Sequence, residues 1–204
     1  MRCGILVTYE GPEGVGKSTH SRLLAGWLRR RGHGVLLTRE PGGTPSGQRL
    51  RRILLHSWNE RIDPFVELCL YEASRAMLVR NLIRPALKAG KVVVLDRFTD
   101  STWVYQGWAG GLDLDLVERF NRAATEGLKP NLTLLLDLPV RRGLARVRRP
   151  NRFEAKPVAF HERVRQGYLA LARREKRRIR IIRANRPIPQ VQSEIREVVR
   201  DVLR

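Results

Sequence analysis

The amino-acid sequence predicts an α/β fold in which a parallel β-sheet is flanked by helices. Two observations support this prediction: short continuous apolar runs alternate with longer helical patterns, and a glycine-rich segment directly follows the first run. Continuous apolar runs indicate strands that are buried on both faces, and their alternation with helices indicates right-handed crossovers between parallel strands. The predicted strands lie at residues 5–7, 35–37, 92–95, 132–136 and 179–182.

The glycine-rich segment at residues 11–18, Gly-Pro-Glu-Gly-Val-Gly-Lys-Ser, has the pattern of a phosphate-binding loop. Glycines allow backbone N–H groups to close around a triphosphate at the N-terminus of the next helix, whose dipole favours anions. In this pattern Lys17 reaches the β- and γ-phosphates, and Ser18 ligates Mg²⁺. The alternative, a glycine-rich turn that ends in Lys-Ser by chance, is disfavoured by the strand before it and the helix after it.

Two further segments carry strong local signals. Residues 40–47 are so rich in proline and glycine that they predict a loop. A helix is predicted to begin with Asp63 as its N-cap and Pro64 in its first turn, and to end at Gly90. Pro85 is expected to kink this helix near its end, because proline lacks the backbone N–H of a helical hydrogen bond.

The third predicted strand ends in a charged pair, Asp96-Arg97. Ligands collect at the carboxyl edge of a parallel sheet, where these side chains should lie. Asp96 is a candidate to hold the water shell of Mg²⁺ opposite Ser18, and Arg97 a candidate to bind a phosphate with two hydrogen bonds. The alternative is an ion pair at the strand end with no functional role.

The chain is strongly basic, and its charge is unevenly distributed. Its 40 basic and 20 acidic residues give a formal charge of +20. Residues 141–186 hold 17 Lys and Arg against 3 Asp and Glu, which accounts for 14 of these charges. Such a segment could bind nucleic acid. We favour an arginine-rich lid with solvated helix faces, because the basic residues are not interleaved with aromatic residues as in a base-stacking surface.

Length and cysteine content point to an intracellular protein. The 204 residues suit a single domain, here spanning 1–204. No apolar run approaches the ~20 residues needed to cross a membrane, so we expect a cytoplasmic location. Cys3 and Cys69 are far apart and lack metal-ligand spacing, which predicts two reduced thiols.

Three blocks of the sequence resemble the signature blocks of bacterial thymidylate kinases. They are Tyr-Glu-Gly-Pro-Glu-Gly-Val-Gly-Lys-Ser-Thr at 9–19, Arg-Glu-Pro-Gly-Gly-Thr at 39–44, and Asp-Arg-Phe-Thr-Asp-Ser-Thr at 96–102 with Tyr-Gln-Gly at 105–107. Shorter likenesses at 50–51, 71–75, 130–134 and 163–168 extend the resemblance over nearly the whole chain. It implies a three-layer P-loop NTPase fold with a five-stranded sheet, a homodimer, and Mg²⁺-dependent transfer of the ATP γ-phosphoryl group to dTMP.

The resemblance also implies which residues bind each substrate. Those expected to bind ATP are Gly11, Glu13, Gly14, Val15, Gly16, Lys17, Ser18 and Thr19. Those expected to bind dTMP are Glu13, Arg39, Arg51, Tyr71, Arg75, Arg97, Thr102, Tyr105 and Gln106. The metal ligands would be Ser18 and Asp96. The expected catalytic residues are Lys17, Arg97, Glu13, Arg152 and Arg146.

Each implied role for dTMP has a chemical interpretation. Tyr71 would stack on thymine while Arg75, four residues later on one helix face, hydrogen-bonds the base. Three arginines would converge on the acceptor phosphate, where they lower charge repulsion: Arg39, Arg51 and Arg97. Thr102 and Gln106 match base-contacting positions, Tyr105 matches a ring that crowds the sugar, and Glu13 matches an acid that reaches the sugar or the metal.

A lid at about residues 141–156 completes the implied site. Val15 leaves the phosphate loop without an arginine, so the lid would supply the positive charge that phosphoryl transfer needs. We favour Arg152 for this role and Arg146 next. Asn151 stands where the family usually has Asp. Two alternatives are a related kinase with a different nucleotide acceptor, and a catalytically weakened paralogue that binds a polyanion or nucleic acid through 141–186.

Overall fold

The computed structural model of the protein describes residues 4–56 and 62–203. Its centre is a five-stranded parallel sheet in the order β2-β3-β1-β4-β5. The strands are β1 (Ile5–Glu10), β2 (Val35–Arg39), β3 (Val92–Asp96), β4 (Leu132–Asp137) and β5 (Ile179–Arg183). All five predicted strands are confirmed. Each extends beyond its apolar run to a charged residue, which an apolar pattern does not mark.

Helices connect the strands and cover the sheet. They are α1 (Lys17–Arg30), α2 (Pro45–His56), α3 (Pro64–Leu78), α4 (Arg84–Lys88), α5 (Thr99–Thr102), α6 (Leu114–Thr125), α7 (Val140–Leu144), α8 (Val158–Arg174) and α9 (Ile188–Leu203). Two π-helical turns, Val79–Ile83 and Trp103–Trp108, directly follow α3 and α5. No helix within the described ranges is long and apolar enough to cross a membrane.

The core lies on both faces of the sheet, as continuous apolar strands predict. In β3, Val94 packs in a cluster with residues of α1 and α9, whereas Val93 packs against Leu78 and Ile83 on the opposite face. A third cluster joins Leu135 of β4 to α8 and to the second π-helical turn. Successive strand residues therefore enter opposite helical layers, which confirms the three-layer arrangement.

The predicted helix from 63 to 90 is confirmed at both ends and differs in its middle. The Asp63 side chain accepts a hydrogen bond from the Phe65 N–H at 2.8 Å, and Gly90 ends the helix with φ 71°. Near Pro85 the chain forms the π-helical turn Val79–Ile83, and the proline then lies in the first turn of α4, where its missing N–H is tolerated.

The predicted loop at 40–47 is wrong for its last three residues. Helix α2 already begins at Pro45. The Thr44 hydroxyl oxygen accepts a hydrogen bond from the Gly47 N–H at 3.0 Å, so Thr44 caps this helix and Pro45 occupies its first position. Of the two cysteines, Cys69 has a free thiol, and Cys3 lies outside the described residues.

Candidate active site

One cavity of about 600 Å³ opens at the carboxyl ends of β1, β2 and β3. It brings together nearly all the residues predicted from the sequence. Those that line it are Glu13, Gly14, Val15, Gly16, Lys17, Ser18, Thr19, Arg39, Arg51, Tyr71, Arg75, Asp96, Arg97, Thr102, Tyr105, Gln106 and Arg146. Gly11 and Arg152 lie outside this lining and contact the site through their neighbours.

The phosphate loop joins β1 to α1 and holds Lys17 against itself. The Lys17 Nζ donates to the carbonyl oxygens of Gly11 at 3.0 Å and Pro12 at 2.7 Å. Burial and the nearby charge of Arg97 lower the pKa of the Lys17 ammonium to about 8. An arriving phosphate would therefore replace carbonyl partners and favour the protonated amine.

Gly14 lies in close contact with the helix that begins the lid. Its φ is 68°, and a Cβ at this position would lie 1.9 Å from the carbonyl oxygen of Gly143 in α7. Only glycine fits both the left-handed backbone and this approach. The phosphate loop and the start of the lid segment are therefore packed backbone to backbone.

Ser18 and Asp96 meet at the end of β3. The Ser18 hydroxyl donates to Asp96 Oδ2 at 2.5 Å. Hydroxyl and carboxylate oxygens are hard ligands, and Mg²⁺ usually takes one or two such groups together with water and substrate phosphates. In the described part of the chain no group of three or more His, Cys, Asp or Glu could hold a metal alone. This pair fits a Mg²⁺ site that a nucleotide completes.

Glu13 and Arg97 form the charged centre of the cavity. Arg97 Nη2 lies 2.8 Å and 2.9 Å from the two carboxylate oxygens of Glu13, and the Tyr105 hydroxyl donates to Glu13 Oε1 at 2.7 Å. Burial raises the pKa of Glu13, but the charges of Arg97 and Lys17 outweigh it and lower the pKa to about 2. Glu13 is thus ionised, and Arg97 is fixed beside the phosphate loop.

Two hydroxyl groups link Arg97 to Glu10, which was not among the residues predicted from the sequence. Arg97 Nη1 donates to the hydroxyls of Ser101 and Tyr168, both at 3.1 Å. Both hydroxyls in turn donate to Glu10 Oε2, at 2.6 Å and 2.8 Å. Burial and the neighbouring Asp100 raise the pKa of Glu10 to about 7. The signal in the sequence is a single acid at the end of a buried apolar strand.

Arg75 lines the cavity but is only 1% exposed, and its guanidinium is already hydrogen-bonded to the protein. Each of its five N–H groups has a protein acceptor. The acceptors are Glu40, Glu72, Asn121, the Phe98 carbonyl and Thr102. A base that hydrogen-bonds to Arg75 must therefore share or replace one of these partners.

Tyr71 and Tyr105 form an aromatic wall with a residue of the lid. The ring of Phe153 lies 6.3 Å from that of Tyr71 and 6.0 Å from that of Tyr105, measured between centroids. Tyr71 is half-buried and faces the cavity, so its ring is available to a planar ligand.

Two of the predicted phosphate-binding arginines lie at the cavity rim. Arg39 ends β2 and is exposed, while Arg51 donates to the Pro41 carbonyl oxygen at 3.0 Å. Burial and the charge of Arg39 lower the pKa of Arg51. The repulsion between these cations is relieved when an anion binds between them.

The two candidate lid arginines occupy different environments. Arg146 is exposed, lines the cavity and lies 3.5 Å from the Gly14 carbonyl oxygen. Arg152 instead contacts Glu67, with Nη2 2.8 Å from Oε1 in ion-pair range but not aligned as a hydrogen bond. Its Nε donates to the Leu54 carbonyl at 3.1 Å. The Asn151 side chain accepts from the Phe153 N–H at 2.8 Å and so performs the capping that Asp would.

Four cavity residues near the phosphate loop were not predicted: His20, Ala184, Arg186 and Ile188. Three of them lie between the end of β5 and the first residue of α9, so this connection forms part of the cavity wall. Glu67 was also missed, although a buried acid in the first turn of a helix is an unusual feature.

Comparisons with known proteins agree with one another. A family model described as thymidylate kinase matches residues 9–195. The thymidylate kinase of Syntrophotalea carbinolica is 49% identical over 194 residues, which cover 91% of this chain and 90% of that protein. That of Desulfosudis oleivorans is 51% identical over 197 residues, covering 92% of each. A crystal structure of thymidylate kinase from Ehrlichia chaffeensis matches with a TM-score of 0.81 at 29% identity, covering 97% of this chain and 99% of that one.

Proposed function

The chain belongs to the thymidylate kinase family, and from that premise we propose how its residues transfer the γ-phosphoryl group of ATP to dTMP, giving ADP and dTDP. The observation that carries the proposal is that one cavity holds the phosphate loop together with a second set of cations and an aromatic wall. Such an arrangement suits two nucleotides whose phosphates meet in line.

The donor half is the phosphate loop. The phosphates of ATP would be surrounded by Gly11, Glu13, Gly14, Val15, Gly16, Lys17, Ser18 and Thr19. The backbone N–H groups of the loop and of the N-terminus of α1 would point at these phosphates. Ser18 and Asp96 would hold Mg²⁺, which supplies charge neutralisation on the phosphate oxygens. Lys17 would leave the carbonyls of Gly11 and Pro12 for the β- and γ-phosphates.

The acceptor half lies on the other side of Glu13. Arg39, Arg51 and Arg97 would bind the dTMP phosphate, whose oxygen is already anionic near neutral pH and needs no side-chain base. The base would stack on Tyr71 near Gln106, Thr102 and Arg75. Glu13 and Tyr105 would contact the sugar. Positioning and electrostatic stabilisation then account for catalysis without a covalent intermediate.

The lid at about 141–156 would supply the remaining positive charge. Arg146 already lies beside the phosphate loop, whereas Arg152 would have to leave Glu67 to reach the phosphates. Both arginines remain catalytic candidates. The packing of Gly14 against α7 would couple the position of the lid to that of the phosphate loop.

Three further parts of the proposal concern the whole protein. We propose a single domain over 1–204, a homodimer, and a cytoplasmic location. The apolar side chains of Ile53 on α2 and of Phe65 and Val66 on α3 support a homodimer, since they are 44%, 44% and 47% exposed.

An acceptor panel tests the function. Purified protein with Mg²⁺ and ATP should release ADP fastest with dTMP, more slowly with dUMP, and negligibly without an acceptor. Equal rates with dTMP, UMP and CMP would contradict the base recognition. Absence of turnover together with salt-sensitive binding of a random oligonucleotide would favour the polyanion-binding alternative.

A further inference from the structure

We propose that Glu67 is a positioning residue that fixes the amide of Gln106 so that the enzyme selects against cytosine. The inference deepens the proposed function and rests on it. Glu67 lies in the first turn of α3, is 4% exposed, and does not belong to the cavity lining. It acts on the base only through its neighbour.

The contact between the two side chains has a defined polarity. Gln106 Nε2 donates to Glu67 Oε2 at 2.9 Å. A carboxylate only accepts hydrogen bonds, so the NH₂ group of the amide must face it and the amide oxygen must point the other way. Arg152 lies beside the same carboxylate, with its Nη2 2.8 Å from the other carboxylate oxygen.

The Gln106 oxygen is thereby left for a ligand. Gln106 lines the cavity and is 1% exposed, and within the described ranges no protein donor bonds to its Oε1. Tyr71 and Thr102 line the same cavity. A pyrimidine stacked on Tyr71 would meet a hydrogen-bond acceptor whose direction the protein has already fixed.

Pyrimidines differ in what they offer to this acceptor. Thymine and uracil carry an N–H at N3, which donates to the amide oxygen. Cytosine carries a lone pair at N3, so two acceptors would face each other and neither would be satisfied. A site built for a donor strongly rejects an analogue that lacks it. Glu67 prevents the Gln106 amide from rotating by 180°, so the amide oxygen continues to face the base and cytosine stays disfavoured.

Glu67→Gln is the direct test, because it keeps the size of the side chain and removes the acceptor-only character. The new amide can donate or accept, so Gln106 becomes free to turn its NH₂ toward N3 of cytosine. We expect kcat/KM for dCMP to rise about tenfold and that for dTMP to fall severalfold, mainly through KM. A purely structural role would lower both values in parallel, and a parallel fall would overturn the proposal.

Two control variants test whether Glu67 affects base selectivity through Gln106 or through Arg152. Gln106→Leu should lower activity with dTMP without any rise with dCMP, and Glu67→Gln added to it should not change the dTMP-to-dCMP ratio further. Arg152→Ala should lower turnover with both acceptors and leave their ratio near that of the wild type. A ratio that collapses in Arg152→Ala, or that stays unchanged in Gln106→Leu, would contradict the proposal even if Glu67→Gln fails to fold.

The wild-type enzyme distinguishes failure of the inference from failure of the function. If the wild type does not phosphorylate dTMP, the proposed function itself is wrong. If the wild type prefers dTMP over dCMP while Glu67→Gln shows the same preference, only the role of Glu67 is wrong.

Discussion

Lys17 illustrates how a single residue is tuned by its surroundings. Its ammonium is buried against the carbonyls of Gly11 and Pro12, and burial together with Arg97 brings its pKa to about 8. Bound phosphates favour the protonated form. Above about pH 8 the free protein must therefore take up a proton to bind ATP, and affinity should fall as the pH rises.

Above about pH 8 the affinity for ATP should fall by nearly tenfold per pH unit, and below about pH 8 it should change little. Calorimetric titration of ATP into the protein between about pH 7 and about pH 9.5 measures it. Lys17→Met serves as the control, because it should bind more weakly with a flat profile over that range. A flat profile in the wild type would contradict the role of Lys17.

The lid arginines provide a second prediction for single residues. Arg152→Ala and Arg146→Ala remove candidate sources of transition-state charge, and loss of such a group typically costs about 100-fold or more in kcat. We expect Arg152→Ala to lower kcat with little change in the affinity for dTMP. Steady-state kinetics and direct dTMP binding measure the two quantities.

Arg149→Ala is the matched control for these variants. Arg149 is an exposed arginine of the same segment and does not line the cavity. Its variant should retain wild-type kinetics. Unchanged turnover in Arg152→Ala alone would assign the role to Arg146, which already lies near Gly14.

Among the structural elements, the contact between the phosphate loop and α7 makes the sharpest prediction. Gly14→Ala combines a left-handed backbone with a Cβ that would lie 1.9 Å from Gly143 O. Gly127→Ala is the control, since Gly127 has φ 74° but nothing within 4 Å of its Cβ position. The control should lose about 1–2 kcal/mol of unfolding free energy from the backbone conformation.

Gly14→Ala should lose a further 1–3 kcal/mol, roughly the cost of overpacking, and should also bind ATP more weakly because α7 or the loop must move. Denaturant unfolding and ATP titration of both variants test this. Equal stability of the two variants would show that the loop and α7 are not tightly packed.

The sequence predicted the elements well where burial alone determines them. The run at 92–95 could be assigned to a strand because its residues are apolar without alternation. Its continuation to Asp96 could not, because a charged residue ends an apolar pattern even where the backbone continues. The π-helical turns Val79–Ile83 and Trp103–Trp108 carry no compositional signal, since they depend on packing against neighbouring helices.

The residues of the candidate site also differ in how well the sequence predicts them. Lys17 and Ser18 could be predicted because their chemistry depends on local spacing. Glu10 and Tyr168 could not, since their hydrogen bond joins residues 158 positions apart. The ion pair between Arg152 and Glu67 could not be predicted either. In the sequence alone, each side chain is typical of a solvated surface charge, and only the fold brings the two together.

For the whole molecule, assembly is the property to test. The exposed apolar side chains of Phe65 and Val66 on α3 predict that two chains associate through this face. Light scattering should report the mass of a dimer. Val66→Asp should shift the distribution toward the monomer, because a charge in an apolar interface is costly.

Asp115→Asn is the control for that variant, since Asp115 is an exposed residue of α6 and its change leaves the α3 face intact. A wild-type protein that stays monomeric at high micromolar concentration would contradict the homodimer.

The arginines of the acceptor half have a consequence for how tightly this protein can hold dTMP. All five N–H groups of Arg75 are taken by protein acceptors, and both terminal nitrogens of Arg97 are likewise engaged. Substrate contacts proposed for these cations would exchange one hydrogen bond for another, so the net gain in ground-state binding would be small. An active site of this kind would favour rapid release of dTDP over its retention.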